Sequence, residues 1–202
     1  MADSTTRCRR PRRRSPRNRM LAEVLHAERL ATLLFDALTP EEAALDAHTA
    51  GLRFDVPFLA RRLIGVTEWA LRDARCRELP LGYFGAGTGG AAALMAATRM
   101  SQVRAIASRG GRPDLAREAL PLILAPTLRV VGERDREVAV LNREAQRQLR
   151  VDSALAVVPG ASHLFEEPGA LGEVARQAAR WFTRWLGAAT RHAAAAVAAG
   201  RT

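Results

Sequence analysis

The stretch LGYFGAGTGG, residues 81–90, carries the strongest structural signal in this chain. Its first half is a short apolar run that predicts a buried strand, and its second half places glycine at alternate positions. The alanine-rich run that follows, residues 91–97, predicts a helix behind the turn. Glycine permits close backbone approach and a positive φ that other residues rarely adopt. The stretch therefore predicts a strand, a tight turn centred on Gly87, and a helix.

Further strand-like and helical patterns alternate downstream of this corner. The strand-like runs are residues 103–107, 127–131 and 154–158, and the helical patterns are residues 114–120, 138–149 and 169–186. Alternation of this kind is typical of α/β proteins, in which helices cover both faces of a parallel sheet. The sequence predicts a doubly wound, mostly parallel sheet of about five strands.

The fifth strand is expected upstream of the corner. Ser15 is a plausible N-cap and Pro16 a plausible first residue for a helix that ends near Arg29. Residues 31–36 form a short apolar run that predicts a buried parallel strand. Two more helices follow, one after the capping-box pattern TPEE at residues 39–42 and one after Asp55. The apolar stripe of the latter includes Trp69, which is expected in the core.

Length and composition predict one globular domain. The chain has 202 residues, of which 48% are hydrophobic, which suits a domain spanning residues 15–186 with a sizeable core. Residues 1–14 are expected to be a disordered arginine-rich tail, and residues 187–202 an alanine-rich C-terminal tail. No run of eighteen apolar residues predicts a membrane span and no secretory signal is recognisable, so a cytoplasmic protein is expected. The chain has two cysteines, too few for a disulfide framework, and its potential metal ligands are not clustered. We therefore expect no metal site and no cofactor.

The formal charge of +10 is concentrated at the N-terminus, where eight arginines and one acidic residue lie within the first nineteen positions. All 31 basic residues are arginine, which favours GC-rich coding over a selected phosphate-binding surface. The N-terminal arm could contact nucleic acid through phosphates. It has no interleaved aromatic residues and no recognition fold, so nucleic acid is not the favoured partner.

An acid and a histidine follow two of the downstream strands. Asp135 comes after the strand at 127–131, and His163 comes after the strand at 154–158. Parallel strands bring their carboxyl ends to one edge of the sheet, where α/β proteins place their sites. Histidine can take up a proton near neutral pH, and a carboxylate can orient its ring. The plainer alternative for Asp135 is a solvated loop residue.

Residues 81–90 resemble the nucleophile elbow of α/β hydrolases, a G-x-S-x-G turn between a strand and a helix. Matching stretches extend the resemblance over roughly residues 15–186. They are SPRNR at 15–19, LLFD at 33–36, TPEE at 39–42, SRGGRPDL at 108–115, APT at 125–127 and PGASHLFEEP at 159–168. With these stretches in register, the chain is similar to bacterial α/β hydrolases of the dienelactone-hydrolase-like group.

The resemblance implies an ester or lactone substrate, with Asp135 orienting His163 and the Thr88 N–H donating to the oxyanion. Two departures bear on activity. Family members have Ser or Cys where this chain has Gly87, and a glycine-rich oxyanion loop where this chain has arginines at residues 9–14. Without a hydroxyl or thiol for the base to deprotonate, the covalent step cannot begin. The chain is therefore expected to be catalytically impaired.

The resemblance also implies three strands before the first helix, the third lying between residues 31–36 and the strand at residue 81. The arginine-rich segment cannot take that place, because burying unpaired guanidinium groups costs more than a domain's whole stability. Two explanations stay open. Residues 1–14 are non-native sequence from a truncated or restarted reading frame, or they are a genuine evolved tail.

Two further functions stay open beside the hydrolase interpretation. Arg109 and Arg112 flank two glycines and could hold an anionic small molecule in a non-catalytic binding module. The plain alternative there is a glycine turn with solvated arginines. The third hypothesis is a nucleic-acid-associated protein acting through residues 1–14. The sequence carries no signal for an oligomeric state.

Overall fold

A computed structural model of the chain describes residues 15–199, with side chains described through residue 187. The expected N-terminal tail, residues 1–14, lies outside the described residues. The helices and strands, in chain order, are α1 (Pro16–Ala27), α2 (Pro40–Thr49), α3 (Gly51–Phe54), α4 (Val56–Arg72), β1 (Leu81–Ala86), α5 (Thr88–Ala97), β2 (Val103–Arg109), a 3₁₀ helix (Pro113–Leu122), β3 (Thr127–Gly132), α6 (Arg136–Gln148), β4 (Ser153–Val158) and α7 (Ala170–Ala199).

The described strands form one parallel sheet in the order β1-β2-β3-β4. One face packs against α4, α5, the 3₁₀ helix and α6, around Tyr83 and Leu94. The other face packs against α1 and α7, around Leu128 and Phe182. The prediction of a parallel α/β sheet with helices on both faces is confirmed.

The predicted strand at residues 31–36 is wrong. These residues have no regular secondary structure, and the sheet described has four strands. A cleft of about 2540 Å³ is lined both by residues 30–35 and by β1. A strand needs a hydrogen-bonded neighbour. Among residues 15–199 the apolar run has no such neighbour, and Leu33 is 51% exposed.

Trp69 on α4 was expected in the core, and this prediction is also wrong. The side chain is 44% exposed and lines the same cleft as β1. Helical periodicity correctly identified the inner stripe of α4, since Leu59 and Ala70 are buried. Burial of Trp69 would require sheet beyond β1, and within residues 15–199 none lies there.

The predicted starts of α2 and α4 are confirmed by capping contacts, whereas Ser15 precedes α1 without a side-chain capping hydrogen bond. Thr39 Oγ1 accepts from the Glu42 N–H at 3.2 Å, and Glu42 Oε2 accepts from the Thr39 N–H at 2.8 Å. Asp55 caps α4 by accepting from the Phe58 N–H at 2.8 Å.

At the other end of the chain, α7 continues past residue 186 to Ala199. Within residues 15–199, no helix combines the length and apolar character needed to cross a bilayer.

Arg129 on β3 connects the sheet to α6 through hydrogen bonds. It lies on β3 with 1% of its surface exposed, and its guanidinium donates to the Asn142 carbonyl at 2.6 Å and to Gln146 Oε1. Burial lowers the pKa of Arg129 to about 10. Asp135 lies between β3 and α6. The hydrogen bonds of Arg129 therefore help to hold Asp135 at the carboxyl edge of the sheet.

Candidate active site

Gly87 forms the corner between β1 and α5. Its φ is 56° and its ψ is −124°, a backbone conformation that is strained for any residue with a Cβ. Its N–H donates to the Arg109 carbonyl at 3.2 Å, and its carbonyl accepts from the Arg112 N–H at 3.2 Å. A Cβ built at Gly87 meets no atom within 4 Å. The corner thus has open space where a side chain would project.

The corner depends on close backbone contact between β1 and the start of α5. A Cβ built at Gly85 would lie 2.3 Å from the Gly89 carbonyl oxygen and 2.6 Å from the Gly90 nitrogen. Real Cβ atoms do not approach backbone this closely, so residue 85 has to be glycine for the corner to close. This close approach explains the glycine at position 85.

Asp135 and His163 form a hydrogen-bonded pair at the carboxyl edge of the sheet. His163 Nδ1 lies 2.6 Å from Asp135 Oδ2, with the carboxylate side chain 12% exposed and the imidazole 49% exposed. A carboxylate acceptor requires the hydrogen on Nδ1, which leaves the lone pair on Nε2 in a neutral ring. The histidine is thereby prepared to accept a proton from the cleft.

The loop that carries His163 is anchored at both ends. The Arg134 N–H donates to the Ala161 carbonyl at 3.0 Å, and the Ser162 N–H donates to Glu167 Oε2 at 3.0 Å. The Ser162 N–H is the main cause that lowers the pKa of Glu167. A Cβ built at Gly132 would lie 2.4 Å from the Ala161 oxygen, so this loop also packs directly on the end of β3.

Of the two arginines predicted to bind substrate, Arg109 is the one with an uncommitted guanidinium. Burial and, to a smaller extent, repulsion from Arg17 together lower the pKa of Arg109 to about 10. Among residues 15–187, no acidic side chain pairs with it. Arg112, by contrast, donates to both carboxylate oxygens of Asp114 at 2.9 and 2.7 Å.

All the predicted site residues line one cleft, the one described above beside β1. They are Gly87, Thr88, Arg109, Arg112, Asp135 and His163. Thr88 is the first residue of α5, where a backbone N–H has no partner within the helix and can face a ligand. In the described part of the chain, no group of three His, Cys, Asp or Glu side chains could hold a metal ion.

Sequence reasoning missed two contributors to the site. Arg17 on α1 lines the cleft and places a second positive charge near Arg109, while pairing with Glu166 at 2.5 Å. Glu167 holds the histidine loop through Ser162. The run Glu166-Glu167 directly after the histidine stretch was the available signal, whereas the approach of α1 is a tertiary contact.

The chain has a parallel α/β sheet with a glycine corner, followed along the chain by an acid and a histidine that pair. This arrangement is typical of the α/β hydrolase fold. The chain is 52% identical to dienelactone hydrolase from Anabaena variabilis ATCC 29413, covering 86% of this chain and 81% of that one, with a TM-score of 0.84. It therefore belongs to the dienelactone-hydrolase-like group of α/β hydrolases. No protein-family model matches the chain.

Other similarities differ in what they support. Two provisionally named phosphoribosyl transferases, from two strains of Mycobacterium tuberculosis, are 53% identical over 171 residues, which is 84% of this chain and 38% of each relative. The chain thus spans about two fifths of the length of these curated relatives. Est1E from Butyrivibrio proteoclasticus is 14% identical with a TM-score of 0.67, over 85% of this chain and 82% of that one, a likeness of fold alone.

Proposed function

We propose that this chain carries the ester- or lactone-hydrolysing site of its family with the covalent step removed. One observation carries the proposal. Gly87 adopts the corner conformation of an elbow and shares a cleft with the Asp135–His163 pair, yet has no side chain that could attack a substrate. The base and its orienting acid are retained, and the nucleophile is not.

The remaining hydroxyl near the corner does not replace the nucleophile. Thr88 follows the corner by one residue and is the first residue of α5. Only 9% of its surface is exposed. Its backbone N–H is better placed, as the oxyanion donor that the family uses in this position. Direct attack by Thr88 is therefore not part of the proposed mechanism.

A pre-steady-state experiment with p-nitrophenyl acetate tests this proposal. We expect p-nitrophenol to appear linearly with no burst, because no acyl-enzyme can accumulate without a side-chain nucleophile. The release is followed in a stopped-flow instrument at protein concentrations that would resolve one equivalent. A stoichiometric burst in the unmodified chain that disappears in His163→Ala would contradict the proposal.

A second candidate function is the binding of an anionic small molecule, and Arg109 favours it. A guanidinium that is largely desolvated, close to another arginine and without an acidic partner among residues 15–187, is stabilised by a bound carboxylate or phosphate. This candidate requires no nucleophile, so Gly87 does not count against it.

The expected result for this candidate is a loss of carboxylate affinity in Arg109→Gln. One charge-assisted hydrogen bond to a charged group is worth about 1.5–3 kcal/mol, or about 10- to 100-fold in Kd. Titration calorimetry with succinate measures the loss. Arg112→Gln is the matched control, since that guanidinium is already paired with Asp114 and its removal should change the Kd far less.

The pH dependence of binding follows from the lowered pKa of Arg109. Below about pH 9 the group is charged and the affinity is constant, and as the pH rises through about 10 the free protein loses the charge and affinity falls. At pH 10, binding should take up protons because the anion raises the pKa again. Unchanged affinity in Arg109→Gln, or silence toward both succinate and phosphate, would remove this candidate.

A further inference from the structure

We propose that the cleft beside β1 binds an extended segment of another polypeptide, which adds a strand to the outer edge of β1 between α1 and α4. The segment has an apolar centre and acidic residues at both ends. This inference goes beyond the proposed function, because it uses neither Gly87 nor the Asp135–His163 pair.

The outer edge of β1 is available for strand pairing. Among residues 15–199, β1 pairs only with β2, and no backbone hydrogen bond joins it to residues 30–35, which line the same cleft. An edge strand presents N–H and C=O groups that can pair with a further chain. Natural edges commonly carry charged residues or proline that hinder such pairing, and residues 81–86 contain neither. The backbone of β1 therefore favours an extended polypeptide over a compact ligand.

The space beside β1 lies between helices that cover opposite faces of the sheet. On one face α4 packs against α5, and on the other face α1 packs against α7. Both α4 and α1 also line the cleft, through residues such as Leu63 and Leu25. A strand added to β1 would continue the sheet into this space and have a helix on each face. Strands that are covered on both faces are apolar along their whole length.

Large apolar side chains in the cleft are exposed to water. Leu33 is 51% exposed, Trp69 is 44% exposed and Leu79 is 49% exposed, and all three line the cleft. Removal of apolar surface from water is the dominant favourable contribution to most protein association. An exposed apolar surface of this kind indicates an interaction site, and it selects an apolar centre in the bound segment.

The charge around the cleft selects the ends of the segment. Among the described residues, eight arginines and four acidic residues line the cleft. Arg104 lies near the start of β1 and Arg109 is paired with Ala86 at its end, so positive charge is present at both ends of the strand. Acidic residues on both sides of an apolar centre complement this distribution. Residues 1–14 contain six arginines and one acidic residue, so their charge makes them an unsuitable occupant.

A synthetic peptide with the sequence EEVIVLVIEE and capped termini tests the proposal on the full chain. Its six central residues match the six residues of β1. We expect saturable binding of one peptide per chain, measured by titration calorimetry at peptide concentrations that sedimentation shows to be free of self-assembly. Binding should shift tryptophan emission to the blue, because Trp69 becomes buried. Trp69→Phe should lose this shift.

Two control peptides separate backbone pairing and charge from apolar contact. The same peptide N-methylated at all six central residues keeps the side chains and loses the N–H donors. We expect it to bind at least about tenfold more weakly, because its hydrogen bonds to β1 cannot form. The peptide KKVIVLVIKK reverses the charge of the ends and should also bind at least about tenfold more weakly.

A matched pair of variants locates the binding site on the chain. Leu33→Glu places a charge among the apolar side chains of the cleft and should weaken binding of EEVIVLVIEE at least about tenfold. Leu124→Glu makes the same change at a side chain that is 81% exposed and outside the cleft, and it should leave the Kd unchanged. Circular dichroism checks that both variants are folded.

Three results would overturn the inference. The first is the absence of saturable binding by EEVIVLVIEE, and the second is equal binding of the methylated and unmethylated peptides. The third is a dimer of the chain that Leu33→Glu dissociates while the peptide does not bind, which would identify a second copy as the occupant. None of these results bears on the p-nitrophenol time course, so the proposed function stands or falls separately.

Discussion

Gly87→Ser is expected to create an acyl-enzyme and raise turnover of p-nitrophenyl acetate by about 10³- to 10⁴-fold. In a serine protease, removing the nucleophile costs about 10⁶-fold in kcat. Loss of one oxyanion donor costs about 10²- to 10³-fold. The resemblance to the family implies such a loss, because this chain has arginines at residues 9–14 where an oxyanion loop is expected. The added hydroxyl therefore recovers part of the full effect. The measurement is a stopped-flow burst of about one equivalent, followed by steady-state turnover.

The double variant Gly87→Ser/His163→Ala provides the control for this result. It keeps the new hydroxyl and removes the base, so neither burst nor rate increase should remain. The open space around the built Cβ means that the serine Cβ clashes with no neighbour, so only the backbone conformation is strained. A well-folded Gly87→Ser protein without a burst would show that the base and the corner do not act on the same reacting carbon.

Gly85→Ala is expected to have the largest effect on stability, lowering the free energy of unfolding by about 3–5 kcal/mol. The new methyl group would lie 2.3 Å from the Gly89 oxygen, which is backbone at the start of α5 and cannot rotate away as a side chain could. Relief requires separation of α5 from β1 and thus opening of the corner. Urea denaturation followed by circular dichroism measures the loss.

Two other glycines separate the possible causes of this loss. Gly87→Ala adds no steric contact but places a Cβ at φ 56°, and we expect a smaller cost of about 1–3 kcal/mol. Gly65→Ala is in the exposed interior of α4 with no neighbour within 4 Å, and we expect a gain of about 0.5–1 kcal/mol. A loss in Gly85→Ala no greater than that in Gly87→Ala would show that the corner is not closed by this contact.

Patterns between residues close in sequence correctly predicted several features of the structure. The corner at residues 81–90, the capping box at Thr39 and the order of Asp135 and His163 are all signals between residues close in sequence, and the structure contains each of them. The pairing of Asp135 with His163 was predictable because parallel strands end at a shared edge. The physical basis in each case is a short-range rule of backbone geometry or hydrogen bonding.

The wrong predictions share a different cause. Residues 31–36 have the composition of a strand, and Trp69 has the spacing of a core residue. Strand pairing of the first and burial of the second would both require a further strand beside β1. Neither apolar composition nor periodicity reveals whether a partner is present in space. Arg17 illustrates the same point at the site, because its approach to Arg109 arises only when α1 packs beside the sheet.

The order of residues along the chain was sufficient to predict the class of fold, the glycine corner and the pairing of Asp135 with His163, since each follows from spacing that a strand or helix imposes locally. Three properties arise only from tertiary packing. Among residues 15–187, β1 has no strand partner on its outer edge, Arg112 is paired with Asp114 while Arg109 has no acidic partner, and space remains at Gly87. These properties depend on which groups distant in sequence come into contact, and burial, ion pairing and empty volume exist only once those contacts form.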